Sequence, residues 1–303
     1  MLSGTVMNVQ KGLYIIKSGH EIIKCKLRGK LLKLHTQQTQ LIVVGDNVNF
    51  EKLMDGTGII QEICERKSKI ARRGAGSKKS HYEQIIAANV DLALLVNACK
   101  NPGYNFNLID RYISSAKSGN IEPVIIFNKF DLLNNDEKEK LIKDSEYYKE
   151  KNITVFFTST SENTGITELY DYIKNKVSVF TGQSGVGKSS LTNALEDSYV
   201  SKTSHTSEKL YKGRHTTTSS YMYQLGENAM IIDTPGMREF GMFDSEDGIR
   251  SFFSDIEEIS KNCRFSDCSH THEPGCAVKE ALENGLIEES RLNNYLKLLQ
   301  ETK

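Results

Sequence analysis

One glycine-rich run constrains this chain more than any other stretch: Gly182, Gln183, Ser184, Gly185, Val186, Gly187, Lys188 and Ser189. It matches G-x-x-x-x-G-K-[ST] in full, follows the apolar stretch Val177 to Phe180, and opens a helical pattern from Lys188 to Leu195. Strand, loop and helix in that order make a P-loop. Consecutive backbone N–H groups, exposed where glycines remove side chains, can surround a β-phosphate, and the helix N-terminus adds partial positive charge. Lys188 is expected to reach the β- and γ-phosphates, and Ser189 to ligate Mg²⁺. Thr181, at the entrance of the loop, is counted with the nucleotide-binding residues. Such a loop needs a buried strand under it, which implies an α/β sheet with helices on its faces.

Two further segments complete the pattern. Asn128, Lys129, Phe130 and Asp131 follow the apolar run Pro123 to Phe127. A carboxylate at Asp131 can accept from both N1–H and the exocyclic amine of guanine. Adenine lacks that donor pair, so Asp131 would select GTP over ATP by leaving groups unpaired with the wrong base. Lys129 would cover the base with its alkyl stem. The loop Thr158, Ser159, Thr160, at the end of the next strand, is placed to offer a backbone N–H to guanine O6. Asp233, Thr234, Pro235 and Gly236 follow the run Ala229 to Ile232. Asp233 would hold Mg²⁺ through water, and the Gly236 N–H would sense the γ-phosphate.

In P-loop GTPases of ordinary order the P-loop comes first and the base motif near the end. Here the base motif precedes the P-loop by about fifty residues. The same site is thus expected from a circularly permuted chain. Upstream of Asp233, Gly213 to Thr218 suits the first switch segment. There Thr217, favoured over Thr216, would complete the magnesium shell. The residue after Gly236 is Met237. Many GTPases carry a glutamine there to orient the attacking water, which methionine cannot do. His215 in the first switch segment is the catalytic candidate, as a neutral imidazole able to orient water.

Cysteines divide into two groups. Cys25, Cys64 and Cys99 lie among apolar neighbours and read as small buried hydrophobes. Cys263, Cys268, His270 and Cys276 give three thiolates and one imidazole, a closed tetrahedral set suited to structural Zn²⁺. His272 is a competing imidazole, and the short Cys268-x-His270 spacing favours His270. In a reducing compartment such a cluster points to metal rather than disulfide.

Residues 1–66 read as five short strands separated by turns, which suits a small barrel of the oligonucleotide-binding type. Lys67 to Ser80 then holds Lys67, Lys69, Arg72, Arg73, Lys78 and Lys79 with no acid. It reads as a solvated linker or as a phosphate-contacting segment. The expected domains are a barrel over 1–66, the GTPase core over 67–243 and a mostly helical zinc domain over 244–303, ending in an amphipathic helix from about Glu288 to Glu301. Lys+Arg and Asp+Glu both number 39, so net charge gives no argument for a nucleic-acid partner, and any such argument is local. No apolar run has membrane-spanning length and no secretory signal is evident, so a cytoplasmic protein is expected, with no membrane partner.

Together these residues resemble the ribosome small subunit-dependent GTPase A family, the circularly permuted GTPases of small-subunit assembly. The resemblance rests on Ile86 to Asp91, Asn128 to Asp131, Thr181 to Leu191, Gly213 to Thr218, Asp233 to Phe240, Cys263 to His270 and Glu273 to Cys276, and it covers nearly the whole chain. Thr160 departs from it, because the family usually has alanine there. The resemblance implies zinc ligands Cys263, Cys268, His270 and Cys276, and His215 as the catalytic candidate. It also implies late maturation of the 30S subunit, contact with 16S rRNA, and hydrolysis of GTP to GDP and phosphate stimulated by the subunit. DNA is not an expected partner, and the chain is expected to act as a monomer. Asp233 leads within about thirty residues to the cysteine cluster, so γ-phosphate contacts are expected to influence the zinc domain. The alternative reading is a nucleotide-regulated rRNA-binding checkpoint whose own turnover is incidental, and Met237 favours it.

Overall fold

A computed structural model describes residues 1–10, 12–29, 41–73, 83–202, 220–233 and 246–302. Two compact units emerge: residues 1–104 with 120–242, and residues 105–119 with 243–303.

The first unit begins with β1 (Leu2–Gln10), β2 (Leu13–Ser18), β3 (Glu21–Leu27), β4 (Asn47–Lys52) and β5 (Gly58–Ile63). Alternation drives them together: Val6, Tyr14, Ile16, Ile23, Cys25, Val48, Phe50 and Ile60 are buried in one cluster, while their sequence neighbours face out. β1 pairs β2, β2 pairs β3, β3 pairs β5 in parallel, β5 pairs β4, and β4 returns to β1. The circuit closes, so this sheet has no free edge, as the five-strand barrel expected from the sequence requires. The Asp46 side chain, fully buried, is gripped by Arg66 at 2.6 and 2.8 Å. It also accepts from the Val43 N–H at 2.8 Å, so both carboxylate oxygens are satisfied.

The described part of the basic stretch after the barrel, which ends at Arg73, is a strand from Lys69 onward rather than a linker. β6 (Lys69–Arg73) pairs antiparallel with β7 (Glu83–Ala88), with Lys69 opposite Ala88 and Ile70 opposite Ala87. Ile70, Ala71, Ala87 and Ala88 are buried, which is what pulls a lysine- and arginine-rich strand into register. Lys78 and Lys79 lie outside the described residues. Ala88 N–H donates to Val44 and Asn89 Nδ2 to Gly45, both at 2.9 Å, tying hairpin to barrel.

Next comes β8 (Leu92–Ala98), an all-buried strand. It is followed by α1 (Phe106–Ser118), β9 (Glu122–Asn128), a 3₁₀ turn over Phe130–Leu132 and α2 (Asn135–Glu150). α2 starts with a capping box: the Asn134 side chain accepts from the Glu137 N–H while the Glu137 side chain accepts from the Asn134 N–H. β10 (Thr154–Phe157), α3 (Ile166–Ile173), β11 (Val177–Thr181), α4 (Lys188–Lys202), β12 (Tyr221–Leu225) and β13 (Ala229–Asp233) complete the core. The strand order is β10-β9-β8-β11-β13-β12, parallel except for β12. Leu94, Val96, Val124 and Ile126 pack with Leu169, Ile173, Leu191 and Leu195 on one sheet face. Continuous apolar strands under helices are the signature of a covered parallel sheet. At its far edge β12 meets β1, with Asn8 opposite Tyr221, so the sheet runs on into the barrel.

The second unit consists of α1 with α5 (Glu246–Phe252), α6 (Ser254–Ser260), α7 (Ala277–Glu283) and α8 (Glu289–Thr302). α1 thus groups with the C-terminal helices rather than with the strands on either side of it in the chain. Its buried Ile109, Tyr112 and Ile113 supply apolar surface. Asp110 accepts from Asn294 at 2.9 Å, and Arg111 meets Glu301 at 2.9 Å. Gly248 lets α5 approach closely, since a Cβ there would lie 2.5 Å from the Ser114 carbonyl. Arg291 bonds Asp255 at 2.7 Å and lies 4.5 Å over the Phe253 ring. Among the described residues, no helix is long and apolar enough to cross a membrane.

Candidate nucleotide and metal sites

Two segments in reversed order meet at the C-terminal ends of two strands that flank a third. β8 lies between β9, which ends at Asn128, and β11, which ends at Thr181. Ligand sites of open α/β sheets lie outside these strand ends. Asn128, only 1 % exposed, donates from Nδ2 to the Val186 carbonyl at 3.0 Å. Its Oδ1 accepts from the Thr158 hydroxyl at 3.1 Å. One amide therefore spans the base motif, the P-loop and the Thr158–Thr160 loop. Lys129, in the left-handed region at φ 59°, donates from Nζ to the Gly185 carbonyl at 2.8 Å and to the Asn101 carbonyl. These two contacts fix its ammonium between the P-loop and the turn at Asn101.

The P-loop has the shape of a phosphate cradle. Gly182 sits at φ 135°, where a Cβ would lie 2.1 Å from the Val96 carbonyl oxygen. Gly187 sits at φ 95°, where a Cβ would lie 2.4 Å from Asn128 Nδ2. Only glycine satisfies both conformation and space there. Val186 anchors the loop in the core, and Leu191 N–H closes the first turn of α4 on the Gly187 carbonyl at 2.8 Å. Lys188 Nζ lies on the Gly182 and Gln183 carbonyls at 2.6 and 2.7 Å. Gln183, Ser184, Gly185 and Ser189 are exposed along the loop, and Thr181 is fully buried below it.

Around the base motif, hydrogen bonds from Ser159 first, then Ser161, hold the Asp131 carboxyl below the usual carboxylate range. It is an anion at neutral pH, as an acceptor for two guanine donors must be. The Ser159 N–H is engaged, donating to the Thr164 carbonyl at 3.0 Å. It is the Ser159 side chain, not its N–H, that bears on Asp131, a contact the motif alone did not indicate. Phe130 turns into the body of the unit, its ring 4.9 Å from that of Phe157.

Asp233 ends β13 and is exposed. The Tyr221 hydroxyl donates to Asp233 Oδ2 at 3.1 Å. Burial, then the Asp233 charge, push the Tyr221 phenol up to about 12, so it remains a donor at neutral pH. Sequence reasoning missed Tyr221, because its contact depends on the β12–β13 register. The exposed Ser189 hydroxyl and Asp233 carboxylate are hard oxygen donors of the kind Mg²⁺ takes. Thr217, Gly236 and the catalytic candidate His215 lie outside the described residues, as does Met237.

In the second unit the ligand atoms of Cys263, Cys268, His270 and Cys276 all lie within 4.8 Å of one another. Cys263 and Cys276 sulfurs are 3.9 Å apart, and His270 Nδ1 is 3.6 and 3.4 Å from them. A tetrahedral zinc site has sulfur–sulfur edges of about 3.8 Å and sulfur–nitrogen edges of about 3.5 Å, from its bond lengths. The cluster fits a zinc site, with Nδ1 as the ligating nitrogen. His272 is left outside, its side chain exposed. Glu273 organises the knuckle, accepting from the Ser269 N–H at 3.0 Å and the Ser269 hydroxyl at 2.6 Å. Those hydrogen bonds hold its carboxyl far below the usual range. Burial pushes the Cys25 and Cys99 thiols up to about 11 and 12, as inert core positions require.

The family model for the RsgA GTPase matches residues 63–243, and that for the RsgA N-terminal domain matches residues 3–60. The chain belongs to the RsgA GTPase family. It is a GTP-hydrolysing enzyme with circularly permuted motif order. It is 38% identical to the small ribosomal subunit biogenesis GTPase RsgA of Flavobacterium psychrophilum, over 99% of this chain and 93% of that one. It is 37% identical to the RsgA of Chlorobaculum parvum, over 98% and 97%. Among solved structures it resembles YjeQ from Thermotoga maritima, with a TM-score of 0.77 and 32% identity over 99% of this chain and 98% of the other. It also resembles YloQ, a circularly permuted GTPase, with a TM-score of 0.73 and 28% identity over 100% and 95%. Both structural matches span nearly the whole chain, so they take in the N-terminal barrel as well as the nucleotide core.

Proposed function

We propose that this chain binds the small ribosomal subunit and assists its late maturation, hydrolysing GTP with stimulation by the subunit. The observation that carries the nucleotide half of this reading is the Asn128 bridge to Val186, which joins base motif and P-loop in one site. The subunit half is supported by the curated relatives, which carry small-subunit biogenesis in their names over nearly their full length. In this reading Asp131 selects guanine, Lys129 covers it, and a loop amide next to Ser159, such as that of Thr160, meets O6. Gly182 to Ser189 hold the phosphates, with Lys188 moving from the loop carbonyls to the β- and γ-oxygens. Ser189, Thr217 and Asp233 hold Mg²⁺, which when bound neutralises phosphate charge. The Gly236 N–H senses the γ-phosphate, and His215 orients the attacking water. Cys263, Cys268, His270 and Cys276 hold structural Zn²⁺, and 16S rRNA is the contacted component of the subunit.

Nucleotide-dependent co-sedimentation tests this reading. With a non-hydrolysable GTP analogue the protein is expected to pellet with small but not large subunits, and to be released with GDP. Equal partition between the two subunits would refute it. The checkpoint reading is favoured by Met237, and His215→Ala separates the two. Subunit-stimulated turnover should collapse without loss of GTP binding if His215 is catalytic. Unchanged turnover would favour the checkpoint.

A further inference from the structure

We propose that Tyr221 is a positioning residue for the magnesium site: its hydroxyl fixes the orientation of the Asp233 carboxylate, and its backbone is fixed in turn by the barrel. This rests on the reading of Asp233 as a magnesium-side carboxylate.

Geometry carries the first half. Tyr221 and Asp233 are direct cross-strand partners in the β12–β13 ladder. The hydroxyl donates to one carboxylate oxygen, Oδ2, at 3.1 Å. An exposed aspartate on a strand end has free rotation about its side-chain bonds, and a single fixed donor removes much of it. The opposite oxygen is then presented in a defined direction. Tyr223, two residues on and so on the same sheet face, adds support: its ring lies 5.7 Å from that of Tyr221. Tyr223 in turn packs against the core cluster that includes Leu191 and Leu195 of α4, the helix that begins at the P-loop lysine.

The seam with the barrel carries the second half. Tyr221 is the register partner of Asn8 in β1. Asn8 Nδ2 donates to the Ser220 carbonyl at 3.3 Å, and Lys17 of β2 donates to Gln224 of β12 at 2.9 Å. The strand that carries the Asp233 donor is thus stapled on its other edge to the N-terminal barrel, on both sides of Tyr221.

The test uses the full-length protein loaded with N-methylanthraniloyl-GDP, its release rate followed against free Mg²⁺. Tyr221→Phe keeps the ring and strand and removes only the hydroxyl. Its Mg²⁺ midpoint should rise roughly three- to tenfold, as loss of one hydrogen bond to a partly exposed carboxylate predicts. Release in excess EDTA should equal wild type, which a general loss of strand structure would not allow. A midpoint within about twofold of wild type overturns the proposal. Asp233→Asn keeps the two failures apart. If it shifts the midpoint and Tyr221→Phe does not, Tyr221 alone is misassigned. If neither shifts it, the reading of Asp233 itself falls.

Discussion

Asn128 Nδ2 donates to the Val186 carbonyl at 3.0 Å across 58 residues of chain, and the donor comes first in sequence. In a chain of ordinary order the loop would precede the amide. The contact does not depend on that order, because β9 and β11 flank β8 in the sheet and bring both ends to one rim. The permutation therefore leaves the pocket intact and moves the chain ends.

Removing that amide is the first expected loss. Asn128→Ala leaves the Val186 carbonyl and the Thr158 hydroxyl without their partner in a buried place. A cost of about 1–3 kcal/mol is expected. It should appear as a lower melting temperature and as weaker GDP binding by titration calorimetry, with β-sheet content retained.

Base choice should follow Asp131. Asp131→Asn replaces one acceptor by a donor, which faces the guanine amine but suits a base with a carbonyl at that carbon. GTP affinity should fall by on the order of a hundredfold and xanthosine triphosphate affinity should rise. Competition binding with both nucleotides measures the exchange. An unchanged preference for GTP would remove Asp131 from the base site.

The loop glycines should not be equivalent. A Cβ at Gly182 meets the Val96 backbone at 2.1 Å, whereas one at Gly185 approaches nothing nearer than Pro102 at 3.6 Å. Both have positive φ, so Gly185→Ala carries conformational strain of about 1 kcal/mol. Gly182→Ala adds a clash that only backbone movement relieves. Thermal melts should rank Gly182→Ala well below Gly185→Ala, with nucleotide binding lost in the first.

Metal removal should act on the second unit. Zinc sites of this kind contribute on the order of 10 kcal/mol to folding of their domains. Cys276→Ser, at a buried ligand, should lower zinc content well below one equivalent by atomic absorption. Hydrogen exchange should then increase over α7, which starts next to this ligand, while β8 and β9 remain protected.

Much of this was legible in sequence because the physics is local. The P-loop glycines, the apolar runs of β8 and β9, and the alternation in β1 to β5 each show within a short window. The Cys263 to Cys276 spacing shows likewise. What escaped depends on contacts far along the chain. β6 reads as a basic linker because Lys69, Arg72 and Arg73 dominate it, and only pairing with β7 buries Ile70 and Ala71. α1 falls within the 67–243 core expected from sequence, since nothing near Asp110 announces Asn294, its partner 184 residues on. Tyr221 escaped for the same reason, as its hydroxyl acquires a purpose only in register with Asp233.

Steady-state GTP hydrolysis by the purified protein, alone and with small or large ribosomal subunits, tests the account most directly. Small subunits alone should accelerate turnover, by on the order of tenfold or more, as for GTPases whose site is completed by a partner. Large subunits should leave the rate at its basal value, and ATP should not be hydrolysed. A rate that is the same with either subunit and without them would contradict the account.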